Sequence, residues 1–209
     1  MCVTKTTNIH FETEKTYTIT YFHYFYFMSE KYKFHNPDGI YFVTSTIVEW
    51  VPLFLKKKMC DIILNSLKFC QQEKGLVIHA WCIMPNHIHL IISRKGTYFL
   101  SDILRDFKRF TSIKIAKEIE SSNSDKDQKA LKVFSKRAEE LKRIKKYKIW
   151  QDGNHPVELY TNKMLDDRLN YLHENPVKSS LMSIAEDYAY SSAKTYCGEK
   201  GQLEIELIE

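Results

Sequence analysis

The chain has 209 residues, 44% of them hydrophobic and 27% charged, with a formal net charge of +5. That is too apolar for an intrinsically disordered chain, and the length suits one domain with a surplus for tails or an insertion. The modest positive balance admits nucleic acid as a partner without requiring it. The five cysteines are widely spaced with no C-x-x-C, which argues against a disulfide framework or a zinc knuckle and for reduced thiols in the cytoplasm.

In chain order, the first segment is aromatic: Thr18 to Phe27 reads TITYFHYFYF. It is too short to span a bilayer, which takes about 20 residues, and it lacks the small-residue cleavage site of a signal peptide. No membrane association is expected. Residues 1–27 are expected to be a poorly ordered extension, with Met28 a sufficient start. After the turn signal Asn36-Pro37-Asp38-Gly39, the β-branched and aromatic run Ile40 to Thr46 predicts a strand. Leu53 to Gln72, with Leu55, Met59, Ile62, Ile63, Leu67 and Phe69 on one side, predicts an amphipathic helix closed by Gly75. Leu76 to Ile83 predicts a second strand.

A Pro85-Asn86 turn then leads into His87-Ile88-His89-Leu90-Ile91-Ile92, completing a hairpin. Side chains at i and i+2 of a strand share a face. His87 and His89 can therefore aim two imidazoles at one point, while Ile88, Leu90 and Ile92 face a core. Two converging imidazoles are part of a metal site and need further ligands.

Tyr98 to Ile119 predicts the next helix, broken by Ser121-Ser122-Asn123-Ser124-Asp125. Lys129 to Lys148 reads as a lysine- and arginine-rich helix with a sparse apolar set (Leu131, Phe134, Leu141, Ile144). A solvated face and a phosphate-tracking arm both fit it. Ile149 to Pro156 is a turn carrying Trp150, Val157 to Tyr160 a short strand, and Thr161 or Asn162 caps a helix that Pro176 ends near Asn175. Its buried stripe is Leu165, Leu169 and Leu172. On a wheel of about 100° per residue, Tyr171 and Asn175 are neighbours on a flank of that stripe. The order of elements predicts an α+β fold, an antiparallel sheet with helices packed mainly on one face.

The segment His79 to Ile91 (HAWCIMPNHIHLI) resembles the signature of the single-tyrosine HUH transposases. Leu169 to Lys178 (LNYLHENPVK) resembles the tyrosine helix of their REP-associated branch. Trp150-Gln151 and Tyr190-Ser191-Ser192-Ala193 follow the family's order of landmarks, and the resemblance spans about residues 28–198. It implies a ferredoxin-like HUH core, with a charged helical insertion at about 121–148 and an acidic tail at 199–209. It also implies His87, His89 and Asn175 as metal ligands, Tyr171 as nucleophile, and a divalent cofactor, Mg²⁺ or Mn²⁺. The implied activity is transposition by cleaving and rejoining single-stranded DNA, bearing hairpin or palindromic repeats, through a 5′-phosphotyrosine. Asp152, Asn154 and His155 receive no role. A homodimer that shares tyrosine helices and a monomer both fit the sequence.

Three rival readings use the same residues. A histidine-triad hydrolase would need a third alternating histidine where the chain has Ile91. A metal-dependent endonuclease or phosphodiesterase would make no tyrosine adduct. A domesticated hairpin-DNA-binding protein would keep the fold without transposing.

Overall fold

The computed structural model describes residues 33–141, 144 and 146–208. The extension expected at 1–27 lies outside these residues, as do Lys142, Arg143 and Lys145 of the basic stretch. Four antiparallel strands form one sheet in the order β2-β3-β1-β4. They are β1 (Tyr41–Thr46), β2 (Leu76–Met84), β3 (His87–Arg94) and β4 (Val157–Glu158). Helix α1 (Lys57–Lys74) links β1 to β2, and α2 (Leu100–Glu120) follows β3. Strand, helix, hairpin, helix and strand in that spatial order is the ferredoxin-like arrangement expected from the resemblance. Among the described residues, three further α-helices follow: α3 (Asp125–Glu140), α4 (Asn162–Lys178) and the single turn α5 (Ala193–Tyr196).

All nine residues of β2 are buried, which means that both faces of the sheet are covered. Tyr41, Val43, Ile78, Trp81, Ile83, Ile88, Leu90 and Ile92 pack with the apolar stripes of α1 (Met59, Ile63, Leu67) and α2 (Ile103, Leu104, Phe107, Ile115). Helix α3 adds Leu131 and Phe134 to this layer. The expectation of helices mainly on one face holds for these three. The opposite face, with Phe42, Ala80, Cys82, Met84 and Ile91, is covered by α4 through Leu172, Met164, Leu165 and Leu169. Strand alternation sends His87 and His89 to this second face, so the histidines and the tyrosine helix share one side of the sheet.

Two landmarks of the sequence protect the sheet's edges. Strand β2 is an edge strand, and its outer backbone groups pair with the chain's end. Tyr190 O accepts from Ile83 N (2.8 Å), Trp81 O from Ser192 N (2.9 Å) and Ile78 O from Glu206 N (2.9 Å). The tail at 199–208 is thus packed against the domain, with Leu203 buried in the core, and leaves no open template for pairing along β2. On the other side, Gln151 N donates to Thr46 O (2.8 Å) and Val48 N to Ile149 O (2.8 Å). The Trp150 ring, 3% exposed, donates Nε1–H to Thr111 Oγ1 (3.0 Å).

Several boundaries differ from the sequence expectation. The basic helix ends at Glu140 rather than Lys148. Beyond it, Lys146 reaches Glu120, and Lys148 pairs with Asp152 at 2.5 Å, so these side chains form ion pairs instead of lining a helix. Helix α1 starts at Lys57, because Leu53–Leu55 form a separate 3-10 turn after Pro52. Pro176 lies inside α4, which continues to Lys178. It removes one hydrogen bond, yet it is buried in the final turn, where little helix follows to be disrupted. Gly75 closes α1 as expected, with φ 68°. A Cβ there would lie 1.8 Å from Lys95 O, so only glycine fits.

Candidate active site

The register of β3 on β1 sets Thr44 opposite His89 and Thr46 opposite His87. The imidazoles meet: His87 Nε2 and His89 Nε2 are 3.1 Å apart. Each ring is oriented through its other nitrogen. Asn86 Oδ1 lies 2.6 Å from His87 Nδ1. A carbonyl oxygen can only accept, so Nδ1 carries the proton and Nε2 is left with its lone pair. On His89, Nδ1 contacts Thr44 Oγ1 (2.8 Å) and Nε2 contacts Asn175 Nδ2 (3.2 Å). With the Thr44 hydroxyl accepting from Nδ1, Nε2 of His89 also carries its lone pair, whichever way the Asn175 amide is turned. Two lone pairs therefore converge on one point.

Both rings are uncharged at neutral pH. Burial pushes His87 down to about 4. Burial pushes His89 down to about 3, with the charges of His87 and Arg168 adding to the effect. Neutral imidazole is the ligand form. Two nitrogens bound to one ion at ~2.1 Å and about 90° are separated by about 3.0 Å, close to the spacing here. Turning the Asn175 amide exchanges Nδ2 for Oδ1 at the same place, which offers a third neutral ligand. The donor set thus fits a divalent cation. Among the described residues no group of three or more His, Cys, Asp or Glu could hold a metal, so the set depends on the amide.

Helix α4 brings Tyr171 to the same place. Thr161 caps the helix by accepting from Met164 N at 3.2 Å, and Leu172, fully buried, fixes its rotation on the sheet. Tyr171, one residue before, emerges at the edge of the packed face, 39% exposed. Its ring centroid lies 5.4 Å from that of His89 and 5.9 Å from that of Phe42. Phe42 itself stacks on His89 at 5.2 Å. Two cations flank the tyrosine ring, Arg168 at 5.9 Å and Lys178 at 5.9 Å. The histidines, Tyr171 and Asn175 therefore come together within a single chain. His173 does not join them: it points to Ser192 Oγ (2.8 Å) and packs on Tyr196.

Five neighbours were not singled out as site residues from sequence: Phe42, Thr44, Trp50, Asn86 and Arg168. Arg168 was findable as an i−3 neighbour of Tyr171 on its helix face, and Asn86 as the amide next to His87. Phe42 and Thr44 become visible only once β1 is known to pair with β3, and Trp50 only once the turn after β1 is placed. A groove of about 770 Å³ between α1 and α2, lined by Phe69, Phe110 and Ile113 among others, lies in the other layer.

Residues 52–147 match a family model described as IS200-like transposase. That range is a little under half of the chain, and over it the chain is similar to the IS200-like transposases. The matched range contains His87 and His89 and ends before Tyr171 and Asn175. No curated protein matches the chain. Among solved structures, this chain resembles a REP-associated tyrosine transposase bound to a REP hairpin. The TM-score is 0.58 at 15% identity, covering 85% of this chain and 92% of that one. At that identity the likeness is one of fold. A candidate transposase from Deinococcus radiodurans matches at 15% identity over 68% of this chain and 94% of that one, with a TM-score of 0.35. Among the described residues no helix is long and apolar enough to cross a membrane.

Proposed function

We propose that this protein is a transposase that cleaves and rejoins single-stranded DNA through a covalent bond between Tyr171 and a 5′-phosphate. The observation that carries the reading is the approach of Tyr171 and Asn175, on α4, to the paired lone pairs of His87 and His89 on β3. A tyrosine lodged beside two neutral, tautomer-fixed imidazoles has no evident structural task, since the core under α4 is filled by Leu172 and its neighbours.

In the proposed reaction the Tyr171 oxygen bonds to phosphorus while the bond from phosphorus to the 3′-oxygen breaks. The phenolic proton passes to solvent, and the departing 3′-oxygen takes one up. Tyrosine replaces one phosphate ester by another, so the bond energy is kept and a 3′-hydroxyl can later reverse the step. His87, His89 and Asn175 would hold Mg²⁺ or Mn²⁺, which when bound supplies Lewis-acid neutralisation of the phosphate, undiminished by an uncharged ligand set. Arg168 and Lys178, on the same helix face as the nucleophile, attract and orient the phosphodiester. Asn86 and Thr44 keep the two imidazoles in the ligating tautomer. The hairpin bound by the REP-associated relative supports hairpin-bearing single strands as the substrate class. The placement of Tyr171 beside its own chain's histidines supports a nucleophile acting in cis.

The test is a labelled hairpin oligonucleotide with single-stranded flanks, incubated with the protein and Mn²⁺ and run on a denaturing gel. A covalent adduct is expected from wild type and none from Tyr171→Phe. His87→Ala and His89→Ala should abolish the adduct while leaving hairpin binding in place. Cleavage without an adduct would assign a metal-dependent endonuclease instead, and binding with neither would assign a domesticated binding protein.

A further inference from the structure

The turn after β1 carries an expensive feature that the core does not use. Glu49 and Trp50 are consecutive non-glycine residues with φ 52° and 56°, a left-handed conformation that L side chains avoid. The turn is held there from several sides. Ile47 N donates to Asn86 O (2.9 Å), Val48 N to Ile149 O (2.8 Å), Trp50 N to Ile47 O (3.1 Å) and Phe54 N to Pro85 O (2.9 Å). Ile47, Val48 and Phe54 are buried on either side of it, and Arg137 of α3 lies within electrostatic range of Glu49. The result of this clamping is a tryptophan 59% exposed to solvent. Its ring meets His87 edge-on, with centroids 6.4 Å apart. Backbone strain that a fold maintains to present one side chain marks a working position.

We propose that Trp50 is a nucleobase platform, stacking the base of the nucleotide whose 3′-oxygen departs when Tyr171 attacks. The contacts run in the order Tyr171, His89, His87, Trp50, with centroid steps of 5.4, 4.6 and 6.4 Å. In-line displacement places the attacking and leaving oxygens on opposite sides of phosphorus. With the phosphate at the histidines, the tyrosine stands on one side and the sugar and base of the leaving nucleotide fall on the other, toward Trp50. Indole is the apolar, flat surface that a splayed base requires, and stacking tolerates any base. The partner is therefore an unpaired nucleotide of the substrate strand, read by its π-face. This rests on the function proposed above.

The test separates the two. In a Tyr171→Phe background, which binds without reacting, affinity for a fluorescent hairpin with a single-stranded tail is measured by anisotropy, with Trp50→Ala and Trp50→Phe alongside. Trp50→Ala should bind about 5- to 150-fold more weakly, the range that stacking of one base contributes, and Trp50→Phe should recover most of the loss. An abasic residue on the 5′ side of the cleavage position should cost the Trp50 protein a similar factor and the Trp50→Ala protein little. Equal affinities for Trp50 and Trp50→Ala, or a Trp50→Ala loss that persists in full on the abasic strand, would overturn the platform. Failure of wild type to form the phosphotyrosine adduct would instead overturn the reaction, while a binding loss at one tail position that vanishes in Trp50→Ala would still support a base platform.

Discussion

Acid should unfold this protein well before its carboxylates are titrated, because buried imidazoles, His79 among them, are held neutral in the fold. His87 and His173 are pushed down to about 4 and His89 to about 3, in each case chiefly by burial. An exposed imidazole in the unfolded chain titrates near 6.5. Between these values the unfolded state binds more protons than the folded one, so stability falls as pH falls. From pH 7 to pH 5 each ring costs about 2 kcal/mol by linkage, and the three together about 4–6 kcal/mol. A domain is stable by only about 5–15 kcal/mol, so about a third of the margin or more would be gone. The assay is urea unfolding at the two pH values with chelator present, so that no ion stabilises the histidine pair. His173→Gln keeps a partner for Ser192 and removes one titrating ring, and it should reduce the pH dependence by about 2 kcal/mol. A change in unfolding free energy below about 1 kcal/mol between pH 7 and 5 would refute the reasoning, as it would mean these rings protonate freely in the folded state.

Three further outcomes follow from the site. Asn86→Ala removes the acceptor that fixes the His87 tautomer and should weaken Mn²⁺ affinity about 10- to 100-fold, measured by calorimetry. Asn175→Ala should lower the same affinity, and an Mn²⁺ titration matching wild type would remove it from the ligand set. Arg168→Gln and Lys178→Gln should each reduce the slope of log affinity against log salt by about one unit. An unchanged slope would show that the cations beside Tyr171 do not contact phosphate.

Much of this protein was readable from local pattern. The β2–β3 hairpin, the Gly75 stop, the Thr161 cap and the inward face of Ile88, Leu90 and Ile92 follow from strand alternation, helix capping and turn chemistry, which act over a few residues. The same rules put His87 and His89 on one face and Tyr171 and Asn175 on one flank of a helix. Local rules failed where a distant partner decides the outcome. The basic stretch stops being helical after Glu140, and Lys146 and Lys148 find Glu120 and Asp152 instead. Pro176 is carried inside α4, packed against the rest of the fold. Sequence alone nominated the residues proposed to bear chemistry, because a motif is a property of neighbours in the chain. Only tertiary structure brought β3 and α4 to one side of the sheet, chose Thr44 and Asn86 as the groups that orient the imidazoles, and set Trp50 beside them. Pairing register and layer packing are settled by contacts between residues tens of positions apart, and no local pattern encodes them.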